Sequence, residues 1–213
     1  MKKIQKVLLS LNVLIIISFG YYYSTSFNFE FIAYVGLIAV ITALLFGTLK
    51  TTKFTNGILF GITIWALLHM LGGSVETEYG VLYAYKIFPI FDGGGEFYIL
   101  KFDQIVHTFL YGVVGLMFLH LLRNFIGIKT NKWLVAFIAI FASAGFSIIN
   151  EIIEFAAVVI LPETGVGGYY NTVLDLIFNL LGSVVAVIFY SLKTLPDKST
   201  IVEDFPNNTP LSK

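Results

Sequence analysis

The sequence predicts an all-α integral membrane protein, a bundle of six transmembrane helices. Both termini are expected to be cytoplasmic, with an external loop or hairpin between helices three and four. Three observations carry that expectation. Of 213 residues, 57% are hydrophobic and 12% charged, against about 25% charged in a water-soluble domain. Six stretches come near the roughly 20 apolar residues that cross a ~30 Å hydrocarbon core. The basic residues gather on alternate connections, as the positive-inside rule requires. The composition also excludes function classes. Thirteen basic residues balance thirteen acidic ones, which leaves no basic face for nucleic acid. The absence of cysteine excludes disulfides, thiolate catalysis and Cys-ligated zinc.

In chain order, the spans read 7–23, 29–49, 57–72, 103–124, 133–157 and 171–192. The first contains Val13-Leu14-Ile15-Ile16-Ile17, a run without the alternation that a barrel strand needs. Lys2, Lys3 and Lys6 before it also resemble the start of a signal peptide, with Ser24-Thr25-Ser26 as a weak cleavage site. Lys50 and Lys53 separate spans two and three; Arg123, Lys129 and Lys132 separate four and five; Lys193, Lys198 and Lys213 follow span six. The other side has only Lys86 and Lys101, against Glu30, Glu76, Glu78, Asp92, Glu96 and Glu163. Tyr21, Tyr22, Tyr23, Tyr169 and Tyr170 suit an outer aromatic belt, and Trp133 and Tyr190 an inner one.

Between spans three and four, Tyr83–Phe88 and Phe97–Leu100 flank Asp92-Gly93-Gly94-Gly95. That pattern predicts a hairpin, long enough to act as a lid or cap. Residues 1–193 form a single transmembrane domain. The segment 194–213, with three prolines and mixed charge, reads as a short disordered cytoplasmic tail.

Ionisable groups inside spans are expensive in a bilayer and mark function when they occur. His69 closes span three, four residues after Trp65. Asp103, His107 and Tyr111 share a face of span four at i, i+4, i+8. Ser147, Glu151 and Glu154 do so on span five, beside Asn150, and Asn171, Asp175 and Asn179 on span six. At ~1.5 Å per residue, His69, His107 and Asp175 lie about 5–6 Å from the outer ends, Glu154 about 10 Å, Asn179 about 12 Å and Glu151 about 15 Å. The polar stripes therefore fall in one outer slab.

Glu151 and Glu154, one turn apart, need protons or a cation to offset their charge. A divalent cation held by His69, His107, Glu154 and Asp175 meets that need. Mixed imidazole and carboxylate ligation favours Zn, Mn or Fe(II). Asp103, Asn150, Asn171 and Asn179 are the expected outer partners. Glu151, Glu154 and Asp175 are the candidate catalytic groups, with Glu151 as general base. Each piece also has a plainer reading. His69 suits an interface, and Asp103 and Asn171 suit helix N-caps. Ser143, Gly145, Ser147, Gly182 and Ser183 suit helix packing, and His120 a structural role. Three buried acids without basic partners at their depth have no such reading.

These residues carry a resemblance. Leu68-His69-Met70-Leu71-Gly72-Gly73, Phe102-Asp103-Gln104-Ile105-Val106-His107, the Glu151/Glu154 pair and the run from Asn171 through Asp175 and Asn179 to Gly182 follow in this order. Over roughly 60–190 the chain resembles the YjdF-like family of uncharacterised bacterial inner-membrane proteins. More distantly it is similar to VanZ-like proteins, which are linked to glycopeptide tolerance. It departs from the YjdF-like pattern at Asn171-Thr172, where that family tends to have Asp-Thr, and at Phe155-Ala156, where a tryptophan is expected. The resemblance implies a bacterial cytoplasmic-membrane protein and assigns no activity.

Three function classes follow. The first is an outward-facing membrane enzyme, hydrolase- or transferase-like, acting on a lipid or cell-envelope precursor. The second is a non-catalytic envelope or antibiotic-tolerance accessory protein. The third is a proton-coupled transporter, which the one-sided placement of the charges disfavours. The bilayer is the expected partner, with a lipid or envelope-precursor ligand and no nucleic acid.

Overall fold

A computed structural model describes residues 1–95, 97–125, 131–161, 164–165 and 167–194. The tail expected from 194 onward lies, beyond that first residue, outside the described residues. So do Glu96, Lys129, Glu163, Lys198 and Lys213 of the charge pattern.

Six helices are long and apolar enough to span a bilayer. They are α1 (Lys3–Thr25), α2 (Phe29–Gly47), α4 (Asn56–Ser74), α5 (Phe102–Phe125), α6 (Lys132–Ile160) and α7 (Tyr169–Thr194); α3 (Leu49–Thr52) is a single turn between α2 and α4. Hydrocarbon offers no hydrogen bonds, so a crossing segment must bond its own backbone, and the helix does so completely. Side chains close several ends. Asn28 accepts from the Phe31 amide at 3.1 Å, Thr55 from the Ile58 amide at 3.3 Å, and Asn131 from the Trp133 amide at 2.9 Å.

The helices pack as two subassemblies. In the first, α1, α2 and α4 enclose a core of large side chains, among them Tyr23, Phe31, Leu59, Trp65 and Met70. In the second, α5 sits against both α6 and α7 around Leu119, Val135, Ala136, Ala139 and Val187. The α4–α5 contact joins the two. Small residues bring α5 and α7 backbone to backbone. A Cβ at Gly182 would overlap the Thr108 carbonyl oxygen, and one at Gly112 would stand 3.3 Å from the Gly182 carbonyl oxygen. Close approach through small residues replaces the hydrophobic drive that is missing between helices in lipid.

With six antiparallel crossings, one end of the bundle collects the starts of α2, α5 and α7 and the ends of α1, α4 and α6. The extramembrane strands lie there too. β1 (Glu76–Thr77) pairs with β2 (Gly80–Val81), and β3 (Lys86–Asp92) pairs antiparallel with β4 (Tyr98–Lys101). The expected hairpin is therefore present, turning at Gly94 and Gly95, both with positive φ. Its first strand starts later than expected. Residues Leu82–Ala84 form a 3-10 turn instead, which drops Tyr83 onto the end of α4. There Gly72 leaves room for the ring: a Cβ would lie 2.6 Å from Tyr83.

Candidate metal centre

The site is built where α5, α6 and α7 present their polar stripes to one another. The core helices position it by spacing alone. Residues four apart on a helix share a face, so Asp103 and His107 on α5, and Asn171, Asp175 and Asn179 on α7, point the same way.

Among the described residues two groups of ligand-type side chains form, and they share one member. In the first, atoms of Asp103, His107 and Asp175 lie within 4.8 Å of one another; in the second, atoms of Glu151, Glu154 and Asp175 do so. Asp175 belongs to both and is fully buried. Three of the four expected ligands (His107, Glu154 and Asp175) thus enter these groups. His69 lies in neither: its Nδ1 meets the Tyr83 hydroxyl, and Phe31, Tyr34 and Trp65 rings surround it.

Surrounding amides hold each group in one orientation. His107 Nδ1 donates to Asn179 Oδ1 at 2.9 Å, which leaves Nε2 facing Asp103 Oδ1 at 3.4 Å. Nε2 is thus the ring nitrogen turned toward the carboxylates, and the one that a metal would take in place of a proton. Asn171 Nδ2 donates to Asp175 Oδ2 at 2.6 Å and reaches Asp103 Oδ2 at 3.4 Å. Asn179 Nδ2 reaches Glu151 Oε1 at 3.4 Å, and Asn150 Nδ2 donates to Glu154 Oε1 at 2.7 Å. In Asp175 and Glu151 one oxygen is held and the other is not: Asp175 Oδ1 and Glu151 Oε2 are buried without a hydrogen-bond partner. An unpaired carboxylate oxygen in low dielectric is costly. Here two of them accompany the same cluster.

The plainer readings of Asp103 and Asn171 fail on geometry. The end of β4 and the start of α5 are tied down by Gln104, which is fully buried. Its Oε1 accepts from the Leu100 and Lys101 amides at 2.7 and 3.1 Å. Asp103 instead turns inward, and Asn171 bridges two carboxylates. Ser143, Ser147 and Ser183 do serve packing. Ser143 and Ser183 bond each other at 2.7 Å, and Ser183 donates to the Tyr111 carbonyl at 3.0 Å. Gly145 has open space around it and packs against nothing. His120, at the opposite end, caps the Thr52 carbonyl at 3.0 Å, the structural role expected of it.

Above the cluster a cavity of about 250 Å³ opens at this end of the bundle. Asp103, His107 and Glu154 reach into it from below, with His69 at one wall and Lys101 and Asn171 at another. Several of its residues were not legible in the sequence. Glu30, in the first turn of α2, accepts from the Gly165 amide at 2.7 Å and so pins the α6–α7 loop over the cavity. In the sequence it counts only as one acid of the outer charge pattern. Tyr83 was assigned to a strand. Burial, then the nearby Asp103 and Glu154 charges, raise the Tyr83 hydroxyl well above its ordinary range, so it stays protonated and donates to His69.

No curated protein and no solved structure matches the chain. Residues 5–194 match the family described as "Predicted membrane protein (DUF2238)". The likeness thus extends through the first two spans, which the motif comparison over 60–190 had left out. The chain belongs to this family of predicted membrane proteins, the YjdF-like family that its motifs resemble.

Proposed function

We propose that the protein binds one divalent cation between α5, α6 and α7 and uses it on a lipid or cell-envelope substrate, by hydrolysis or group transfer. The observation that carries this reading is the pair of oxygens, Asp175 Oδ1 and Glu151 Oε2, that are buried without a partner among the described residues, while the other oxygen of each carboxylate is held by an amide. His107 Nε2, Asp175 and one of the two glutamates would supply the ligands. The imidazole and carboxylate set suits Zn, Mn or Fe(II). The remaining glutamate would take a proton from water, and the cation would lower that water's pKa and polarise an ester or phosphoryl oxygen. A relation to VanZ-like proteins and a role in envelope tolerance belong with this reading. So does the orientation: the excess of basic residues on the other connections supports a site end on the outer face of a bacterial cytoplasmic membrane.

Metal analysis of the purified protein beside a Glu154→Gln, Asp175→Asn double variant tests it. One equivalent in the wild type and none in the variant is the expected result. No stoichiometric metal in the wild type, after incubation with Zn, Mn and Fe(II) in turn, overturns the cation reading.

A further inference from the structure

A second cavity, of about 470 Å³, runs down the flank of the bundle, and its lining is almost wholly apolar. One wall is α2, through Leu37, Val40 and Leu44, and the other is α6, through Ile149 and Ile153; α5 forms the floor at Val114. The walls belong to different subassemblies. α2 packs on α1 and α4, and α6 on α5 and α7, so a cleft stays open between them. Val40, Leu44 and Ile149 are half-exposed at its rim and face hydrocarbon.

Two features identify an occupant. The first is length. From Leu37 to Thr48, both lining residues, α2 rises ~16 Å, about half of the ~30 Å core. Leu37 lies about 12 Å below the start of α2, so this stretch runs from mid-bundle to the opposite end, room for an acyl chain hanging below the polar cavity. The second is adjacency to the polar cavity. Asn150 lines the groove and donates to Glu154, which lines the cavity above. Tyr111 lines the groove one turn below His107, and Trp65 one turn below His69.

We propose that the groove holds the hydrocarbon chain of a membrane lipid that enters sideways from the bilayer, with its phosphate-bearing head group in the polar cavity. This deepens the reading above and rests on it for the head group. Asp103, Glu154 and Glu30 would repel a bare phosphate, whereas a bound divalent cation and Lys101 at the cavity wall would attract one. A lipid held this way needs no exit from the membrane. Its chain replaces bilayer contacts with equivalent apolar ones, while the polar cavity takes the head group below the level of its neighbours.

Photolabelling tests the proposal. The probe is a phosphatidic acid carrying a diazirine in one chain, offered to the full-length protein in a non-ionic detergent, with labelled residues mapped by mass spectrometry. Labels on Val40, Leu44, Ile149 and Ile153 are expected to exceed those on the exposed Ile17 and Val185 severalfold, because only a chain whose head group is held stays in one place. Unlabelled phosphatidic acid should compete, and diacylglycerol, which lacks the phosphate, should not. Filling the groove with Val114→Trp, or from its rim with Ile149→Trp, should remove the preference. Even labelling over all apolar faces, or equal competition by diacylglycerol, overturns the proposal. Metal content measured on the same samples separates the two readings. Phosphate-selective groove labelling of metal-free protein removes the cation alone. Even labelling of metal-loaded protein removes the groove alone.

Discussion

The two subassemblies solve the same packing problem with opposite materials. Around α1, α2 and α4 the core is made of large rings and aliphatics, and single polar side chains bond from α1 to α4: the Tyr23 hydroxyl donates to the Met70 carbonyl at 2.6 Å, and Asn12 to Thr63 at 2.7 Å. Between α5, α6 and α7 glycine, serine and alanine stand among Leu119, Val135 and Val187, and α5 and α7 come close. Closeness is what lets short acids and amides from three helices reach one another. The two histidines near this end show the difference. His69, in the first subassembly, is walled by aromatic rings and bonded to Tyr83; His107, in the second, faces carboxylates. Similar depth and residue type thus lead to unlike chemistry.

The largest expected effect breaks the close contact itself. Gly182→Val would drive a branched side chain into the Thr108 carbonyl and should lower stability by about 3 kcal/mol. Gly36→Ala on α2, with open space around its Cα, should leave the melting temperature in detergent unchanged or slightly raised. Equal effects at both positions would dissolve the contrast between the subassemblies.

Next come the ligands. Asp175→Asn should weaken cation binding, measured by calorimetry, by more than about 100-fold, the upper range for losing only an outer partner. Asn179→Ala, which removes the acceptor that orients His107, should cost about 10-fold to 100-fold. His69→Phe should change affinity by less than about threefold, well under the effect of an outer partner, because its Nδ1 is taken up by Tyr83. A loss at His69 comparable with that at Asp175 would return His69 to the ligand set.

The smallest effect concerns pH. With its folded-state pKa raised, Tyr83 keeps its proton while the unfolded chain loses one above about pH 10. Stability is unaffected by this group below that value and falls as pH rises past it. In Tyr83→Phe the fall in the urea midpoint between pH 9 and 11 should be shallower. An unchanged slope would mean that Tyr83 is not buried as described.

Much of this was legible in the sequence, for reasons that differ by residue. Hydropathy marks spans because a bilayer imposes a fixed length, and all six spans appear within a few residues of their expected ends. Helical periodicity put Asp103 with His107 and Asn171 with Asp175, because spacing along one helix needs no tertiary knowledge. Depth along the helix placed His69 and His107 in one layer but left their rotation undetermined. Only packing turns His69 toward Tyr83 and His107 toward Asp175. Tyr83 itself was hidden because Tyr-Ala-Tyr reads as a strand, and the Gly72 recess that receives its ring lies on another helix. Glu30 was hidden because its partner is a backbone amide in the loop at Gly165, which carries no sequence signal.

The central claim is that His107 and Asp175 ligate one cation together. Mn(II) titrated into the purified protein and followed by electron paramagnetic resonance tests it most directly. The claim predicts one tightly bound equivalent whose hyperfine spectrum shows a coordinated nitrogen, with that nitrogen lost in His107→Gln and the bound signal lost in Asp175→Asn. A spectrum of free aquated Mn(II) at one equivalent, or a bound signal unchanged in both variants, would contradict it.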